Sequence, residues 1–242
     1  MTQILFVFAM GILVLGMAVP STPAGEEPPP QEGHGHDHHH GDDDDATMHH
    51  GFTDPEEWSE RWDTPERHAW QEPEKVIDFL KLQQGDTAAD IGAGTGYFTV
   101  RLARAVGADG TVLAVDIEQE MLDFVAERAR REGLVPPVRT VLADPADPKL
   151  PDGEIDTILV VNTWHHIDDR IDYLGRLTRD LSPGGRLVIV DFREGELPVG
   201  PPAGHKISRS DLIEEMRRGG FELADELTTL EHQYVLSFRP GS

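Results

Sequence analysis

The sequence predicts an α/β domain: a doubly wound, seven-stranded, mostly parallel sheet that ends in an antiparallel hairpin. Three observations predict it. From Pro73 onward, short β-branched runs alternate with helical stretches, the pattern of a parallel sheet covered on both faces. The first run, "TAADI", leads directly into "GAGTG", three glycines at alternate positions. The last two runs, "FELADELTTL" and "HQYVLSFRP", follow one another with no helix between them, as the strands of a hairpin do.

The elements follow in order. Asp54-Pro55-Glu56-Glu57 reads as a helix start, with Asp54 as N-cap, Pro55 in the first turn and Glu57 at the capping-box position. Trp58, Trp62 and Trp70 come next, enough apolar area either to pack against the main domain or to wall a ligand pocket. Helices are expected at 74–82, 97–105, 119–132, 170–181 and 209–219. Strands are expected at 87–91, 111–115, 138–142, 155–161 and 186–191, each short, β-branched and buried on both faces by its pattern. The chain thus divides into an N-terminal signal or anchor (1–20), a linker (21–51), a Trp-rich helical segment (52–72) and the α/β domain (73–242).

The N-terminal fifth differs in composition from the rest. Ile4 to Val19 is a run of 16 apolar or Gly residues, short for a spanning helix and suited to the apolar core of a secretory signal, or to an uncleaved anchor. No Lys or Arg follows until Arg61, and cytoplasmic flanks are usually rich in both, so export or membrane anchoring is expected. Residues 21–51 hold Pro, Gly, His and Asp with almost nothing apolar, too little to offset the entropy of ordering. Its histidines, His34, His36, His38, His39 and His40 among them, are candidates for loose binding of a divalent metal; no metal is expected in the domain itself. The formal net charge of −24 argues against a nucleic-acid partner, whose phosphates call for Lys and Arg. There is no Cys, hence no disulfide, thiolate metal site or thiol nucleophile.

In a doubly wound sheet, ligands sit beyond the C-terminal ends of the strands. There the first strand gives Asp90-Ile91-Gly92-Ala93-Gly94-Thr95-Gly96, a loop whose glycines let a ligand approach the backbone. The second strand ends in Asp116, placed to accept hydrogen bonds from a ribose diol. The third is followed by Asp144, placed to accept from an adenine amino group. The nicotinamide fingerprint G-x-G-x-x-G does not fit, because Tyr97 stands where the third Gly belongs and Gly96 falls one early. Asp90 would also repel a diphosphate. It would attract a cation, so a nucleoside carrying positive charge near the loop satisfies both facts, and S-adenosylmethionine is such a ligand.

On these residues the chain resembles the class I S-adenosylmethionine-dependent methyltransferases, with their acid–x–G–x–G–x–G loop. Asp116 after "VLAV", Asp144 after "TVLA", the Pro-Gly-Gly turn in "LTRDLSPGGRLVIVDF" and the terminal hairpin extend the likeness from about Glu74 to Phe238. The resemblance implies the Rossmann-like methyltransferase fold and S-adenosylmethionine as cofactor. It implies that Asp90, Gly92, Ala93, Gly94 and Gly96 face the methionine moiety, that Asp116 holds the ribose, and that Ile117 packs on the adenine with Asp144 on its amino group. Asn162, at the end of the fourth strand, would border the sulfonium. It also places acceptor-side groups just past that strand. His165 and His166 are therefore the candidates for a general base, with Asp191 and His205 behind them. Tyr97, Trp164, His205 and Lys206 are expected on the acceptor side, the last two on the Pro/Gly-rich segment 197–206. "NTWHH" stands where an Asn-Pro-Pro-aromatic motif would mark exocyclic-amine methylation. A small-molecule acceptor remains, methylated on O, S, N or C. An exported, non-catalytic nucleoside-binding or metal-linked protein is the alternative reading.

Overall fold

The computed structural model describes residues 54–134 and 137–241. The signal or anchor and the His-rich linker with all its histidines lie outside the described residues. Among the described residues, no helix is long and apolar enough to cross a membrane.

Two short helices come first, α1 (Pro55–Trp62) and α2 (Pro65–Gln71). Each begins as its sequence dictates. Asp54 Oδ1 accepts from the Glu57 amide at 3.1 Å, Thr64 Oγ1 accepts from the Arg67 amide at 3.2 Å, and a proline occupies the first turn of both. Then come α3 (Pro73–Leu80), β1 (Thr87–Ile91), α4 (Thr99–Val106), β2 (Thr111–Asp116), α5 (Gln119–Arg131), β3 (Val138–Leu142) and β4 (Ile155–Val161). The chain closes with α6 (Arg170–Asp180), β5 (Leu181–Phe192), α7 (Arg209–Arg218), β6 (Phe221–Leu227) and β7 (Gln233–Pro240).

The seven strands form one sheet in the order β3-β2-β1-β4-β5-β7-β6. β1 to β5 pair in parallel, and β7 runs antiparallel to both β5 and β6. This is the Rossmann-like methyltransferase architecture. Alternate strand residues feed two apolar layers. Ala88, Val112, Leu159 and Val188 pack with Val76, Leu80, Leu102 and Val106 of α3 and α4. Ile155, Ile158, Ile189 and Leu236 pack with Leu174, Leu177, Leu212 and Met216 of α6 and α7 on the opposite face.

Two details differ from the sequence expectation. β5 begins at Leu181, five residues earlier, because Leu181 already pairs with Ile155 before the register shifts at Thr157. β3 is not buried on both faces; as an edge strand it exposes Arg139, Thr140 and Leu142. The strand order reverses between β1 and β4. The C-terminal ends of those two strands, with β2 and β5 beside them, therefore open the crevice in which such sheets bind ligands.

Candidate active site

The glycine loop leaves β1 with positive φ at all three glycines, +72° at Gly92, +52° at Gly94 and +78° at Gly96. Each glycine meets a different neighbour. A Cβ on Gly92 would stand 2.2 Å from Thr163 Oγ1, so the loop and the end of β4 can touch only if that residue is Gly. A Cβ on Gly94 would reach the Trp62 ring at 3.4 Å, and one on Gly96 would press on Val125 of α5 at 3.2 Å. The third glycine is thus a helix-packing residue.

Asp90, before the loop, is 2 % exposed and accepts from the Thr99 hydroxyl at 2.6 Å. Burial pushes its carboxyl up to about 6, with the Asp116 charge adding to the rise while the Thr99 bond opposes it. Asp116, at the end of β2, accepts from the Gly94 amide at 2.8 Å and the Glu118 amide at 3.1 Å, which fixes the carboxylate against the loop. Burial raises its pKa too, opposed by those backbone donors. Ile117 follows and is 45 % exposed; Leu142, at the end of the neighbouring β3, is exposed as well. Leu142 is a site-side residue that sequence reasoning missed. Asp144 lies two residues beyond β3, where its carboxylate pairs with Lys149 at 2.8 Å and its backbone closes a turn with Asp147.

On the other side of the crevice, β4 ends in Asn162 at φ +55° and a 3-10 turn, Trp164–His166. This turn brings His165 to Asp191 of β5. His165 Nδ1 lies 2.9 and 3.0 Å from the two carboxylate oxygens, with side-chain exposures of 6 % and 1 %. Parallel pairing of β4 with β5 up to Val161 and Val190 sets the two residues side by side. His166 is exposed, its ring centroid 4.2 Å from that of His165.

One expected acceptor-side residue is corrected. Trp164 is fully buried; its indole Nε1 donates to Glu215 at 2.8 Å and its ring packs edge-on to Tyr173, so no acceptor can reach it. Tyr97 is 5 % exposed and held between two guanidinium groups, Arg67 at 4.2 Å and Arg101 at 4.0 Å from its ring centroid. His205 sits exposed on a 3-10 turn, and Lys206 Nζ donates to the Gly195 carbonyl at 2.8 Å; no hydrogen bond joins either to His165 or Asp191. Among the described residues, no group of three or more His, Cys, Asp or Glu could hold a metal ion.

The N-terminal helices are part of this region. Asp63, just after α1, accepts from the Thr95 hydroxyl at 3.0 Å and pairs with Arg128, which also donates to the Thr95 carbonyl at 2.9 Å. Trp58 and Trp62 stack at 4.6 Å, while Trp70 lies 5.7 Å from Phe192 at the end of β5. Trp62 thus lies against the glycine loop and Trp70 against the end of β5.

The chain is similar to known methyltransferases. A family model described as a methyltransferase domain matches residues 89–189. The ubiquinone/menaquinone biosynthesis C-methyltransferase UbiE of Idiomarina loihiensis is 34 % identical over 117 residues, 48 % of this chain and 47 % of that protein. The corresponding protein of Azotobacter vinelandii is 34 % identical over 117 residues, 48 % of this chain and 46 % of its own. The chain spans about half the length of the curated relatives it matches. Among solved structures, a SAM dependent methyltransferase from Aquifex aeolicus superimposes with a TM-score of 0.71 at 26 % identity, covering 76 % of this chain and 97 % of that one. Geranyl diphosphate C-methyltransferase from Streptomyces coelicolor A3(2), solved with S-adenosyl-L-homocysteine, shares the fold at a TM-score of 0.60 and 18 % identity, over 78 % and 87 % of the two chains. Residues 89–189 thus match a methyltransferase-domain family, the chain is similar to class I S-adenosylmethionine-dependent methyltransferases, and the cofactor this supports is S-adenosylmethionine.

Proposed function

We propose that this protein transfers a methyl group from S-adenosylmethionine to a small-molecule acceptor, with His165, held by Asp191, taking the acceptor's proton. The observation that carries the reading is the His165–Asp191 pair, 2.9 Å apart and almost fully buried, across the strand-order reversal from the Asp116-fastened glycine loop.

The residues present fit the cofactor. Asp116 turns a fixed carboxylate toward the crevice, suited to a ribose diol, beside the exposed apolar face of Ile117. Asp90 places negative charge under the loop, suited to a cation. Asn162 marks the border between that side and the acceptor side. When bound, the cofactor supplies a methyl group already activated on sulfur. The protein's share is alignment and exclusion of water, which can account for several kcal/mol of the barrier. His165 contributes through its tautomer. With Nδ1–H donated to Asp191, Nε2 carries the free lone pair and can accept a proton as the acceptor's bond to the methyl carbon forms. Asp191 then stabilises the imidazolium. That arrangement serves an acceptor that must lose a proton, on O, S, N or carbon. The named activity of the curated relatives, C-methylation, favours carbon.

The apolar run 4–19 supports a place outside the cytoplasm or at a membrane; fractionation of the producing cells checks it. The reaction is tested with methyl-labelled S-adenosylmethionine and a small-molecule extract. Labelled product should form with the native protein and fall by a hundredfold or more with Asp191→Asn, which supports the wrong tautomer. Product formation unaffected by both Asp191→Asn and His165→Gln would remove the proposed base.

A further inference from the structure

The glycine loop is surrounded by three arginines from three different helices, and their partners differ. Arg101 pairs with Glu74 at 3.3 Å and donates to the Tyr97 carbonyl at 2.6 Å. Arg128 pairs with Asp63 and with Glu132. Arg67 has no carboxylate within 4 Å among the described residues. Its guanidinium lies over Tyr97, the residue after Gly96, while Nη1 donates to the Trp62 carbonyl at 3.3 Å and Nε to Gln71 Oε1 at 2.6 Å. Burial, with the Arg101 charge adding to it, pushes the guanidinium below its usual pKa, and Tyr97 and the carboxylates of Asp63 and Asp90 only partly offset this. Neither carboxylate is free to do more, since Asp63 is taken by Thr95 and Arg128 and Asp90 by Thr99. A cation withdrawn from water without a direct counter-ion is costly, and such groups are ordinarily paired.

Arg67 is also locked in place. An arginine can only donate, so Gln71 must turn its carbonyl oxygen to it. That leaves the Gln71 amide NH2 to donate to Gln233 Oε1 at 3.0 Å, and Gln233 in turn donates to Asn162 Oδ1 at 2.5 Å. Gln71 and Gln233 are both fully buried. A polar chain of one direction thus runs from Arg67 to the end of β4. Its first donor is the one member with a charge to satisfy and N–H groups left over.

We propose that Arg67 is a cofactor-binding residue that pairs with the α-carboxylate of the methionine moiety of S-adenosylmethionine. This rests on the cofactor reading above. The carboxylate of a ligand in the loop supplies the counter-ion that the protein withholds. It does so beside Tyr97, the residue that follows the glycine loop, which is where the amino-acid end of the ligand belongs if Asp116 takes the ribose. In a chain of net charge −24, a local cation is also what admits an anionic group at all.

The test is calorimetric and needs no methyl acceptor. S-adenosylmethionine and its decarboxylated analogue, which lacks only the carboxylate, are titrated into the native protein and into Arg67→Gln and Arg67→Lys. A charge-assisted bond of about 1.5–3 kcal/mol corresponds to about a ten- to hundredfold preference. The native protein should prefer the complete cofactor by that factor. Arg67→Gln should bind both ligands alike, at the affinity the native protein has for the analogue. Arg67→Lys, which keeps the charge, should keep part of the preference and covers the case in which the Gln variant does not fold. Equal affinity of the native protein for the two ligands overturns the assignment while leaving the cofactor reading intact, as does a preference that survives Arg67→Gln. Absence of binding of either ligand to the folded native protein overturns both.

Discussion

Asp90→Asn tests the electrostatics of the glycine loop without any ligand. In the folded protein the Asp90 carboxyl is raised from an ordinary value near 3.8 to about 6, because burial outweighs the hydrogen bond from Thr99. The sign of the consequence follows from proton counting. Between those two pH values the folded state holds a proton that the unfolded chain has released. Stability contributed at this position is therefore present below about 4 and is lost as pH rises to about 6. At about 1.4 kcal/mol per pH unit, the gap amounts to about 3 kcal/mol. Asn cannot ionise and escapes that loss. Urea unfolding of the native protein and of Asp90→Asn across pH 4 to 7.5 should therefore show the difference shift in favour of the variant by about 3 kcal/mol, with the change complete near pH 6.5. The constant offset from repacking the amide against Thr99 cancels in the pH dependence. Asp116, raised for the same reason, contributes with the same sign in both proteins. A stability difference that is flat with pH, or that moves against the variant, would refute the claim that an uncompensated carboxylate lies under the loop.

His165→Gln should lower turnover by about 10²–10⁴ while leaving cofactor affinity within about threefold. His166→Gln, on an exposed ring, should stay within a few-fold of native turnover, and equal losses in both variants would assign the pair a structural role. A chain beginning at Gly51 should bind S-adenosyl-L-homocysteine as the full chain does, since residues 21–51 carry almost nothing apolar with which to pack on the domain. A chain beginning at Pro73 loses Asp63, Arg67 and Gln71 and should bind at least tenfold more weakly. Calorimetry on both separates the linker from the helices.

Features fixed by neighbouring residues are legible in the sequence, and those fixed by distant partners are not. Strand β1 and the glycine loop were legible because alternation, glycine spacing and the flanking acid lie within ten residues. The Asp54 cap shows the same economy, with side chain and amide three residues apart. The start of β5 was misplaced because Leu181 joins the sheet by pairing with Ile155, a partner that no nearby residue announces. Trp164 illustrates the same limit at the site. Its position after β4 suggested the acceptor pocket, yet Glu215, 51 residues on, draws the indole under the sheet. The amide chain from Arg67 to Asn162 joins residues as far as 162 positions apart, and nothing in their neighbours signals it. The pairing of His165 with Asp191 lay between these extremes. Both were visible as strand-end residues, and only the parallel register of β4 and β5 brings them together.

The central claim, that the loop between β1 and α4 with Asp116 holds S-adenosylmethionine, is tested most directly by titrating S-adenosyl-L-homocysteine into the native protein and into Asp116→Ala. Asp116 offers its carboxylate from a position fixed by the Gly94 and Glu118 amides. Loss of charge-assisted bonds to the ribose should cost about 1.5–3 kcal/mol or more. The native protein should show one site per chain, and the folded variant an affinity weaker by about ten- to a hundredfold. Unchanged affinity in Asp116→Ala, or no binding to the native protein, would contradict it.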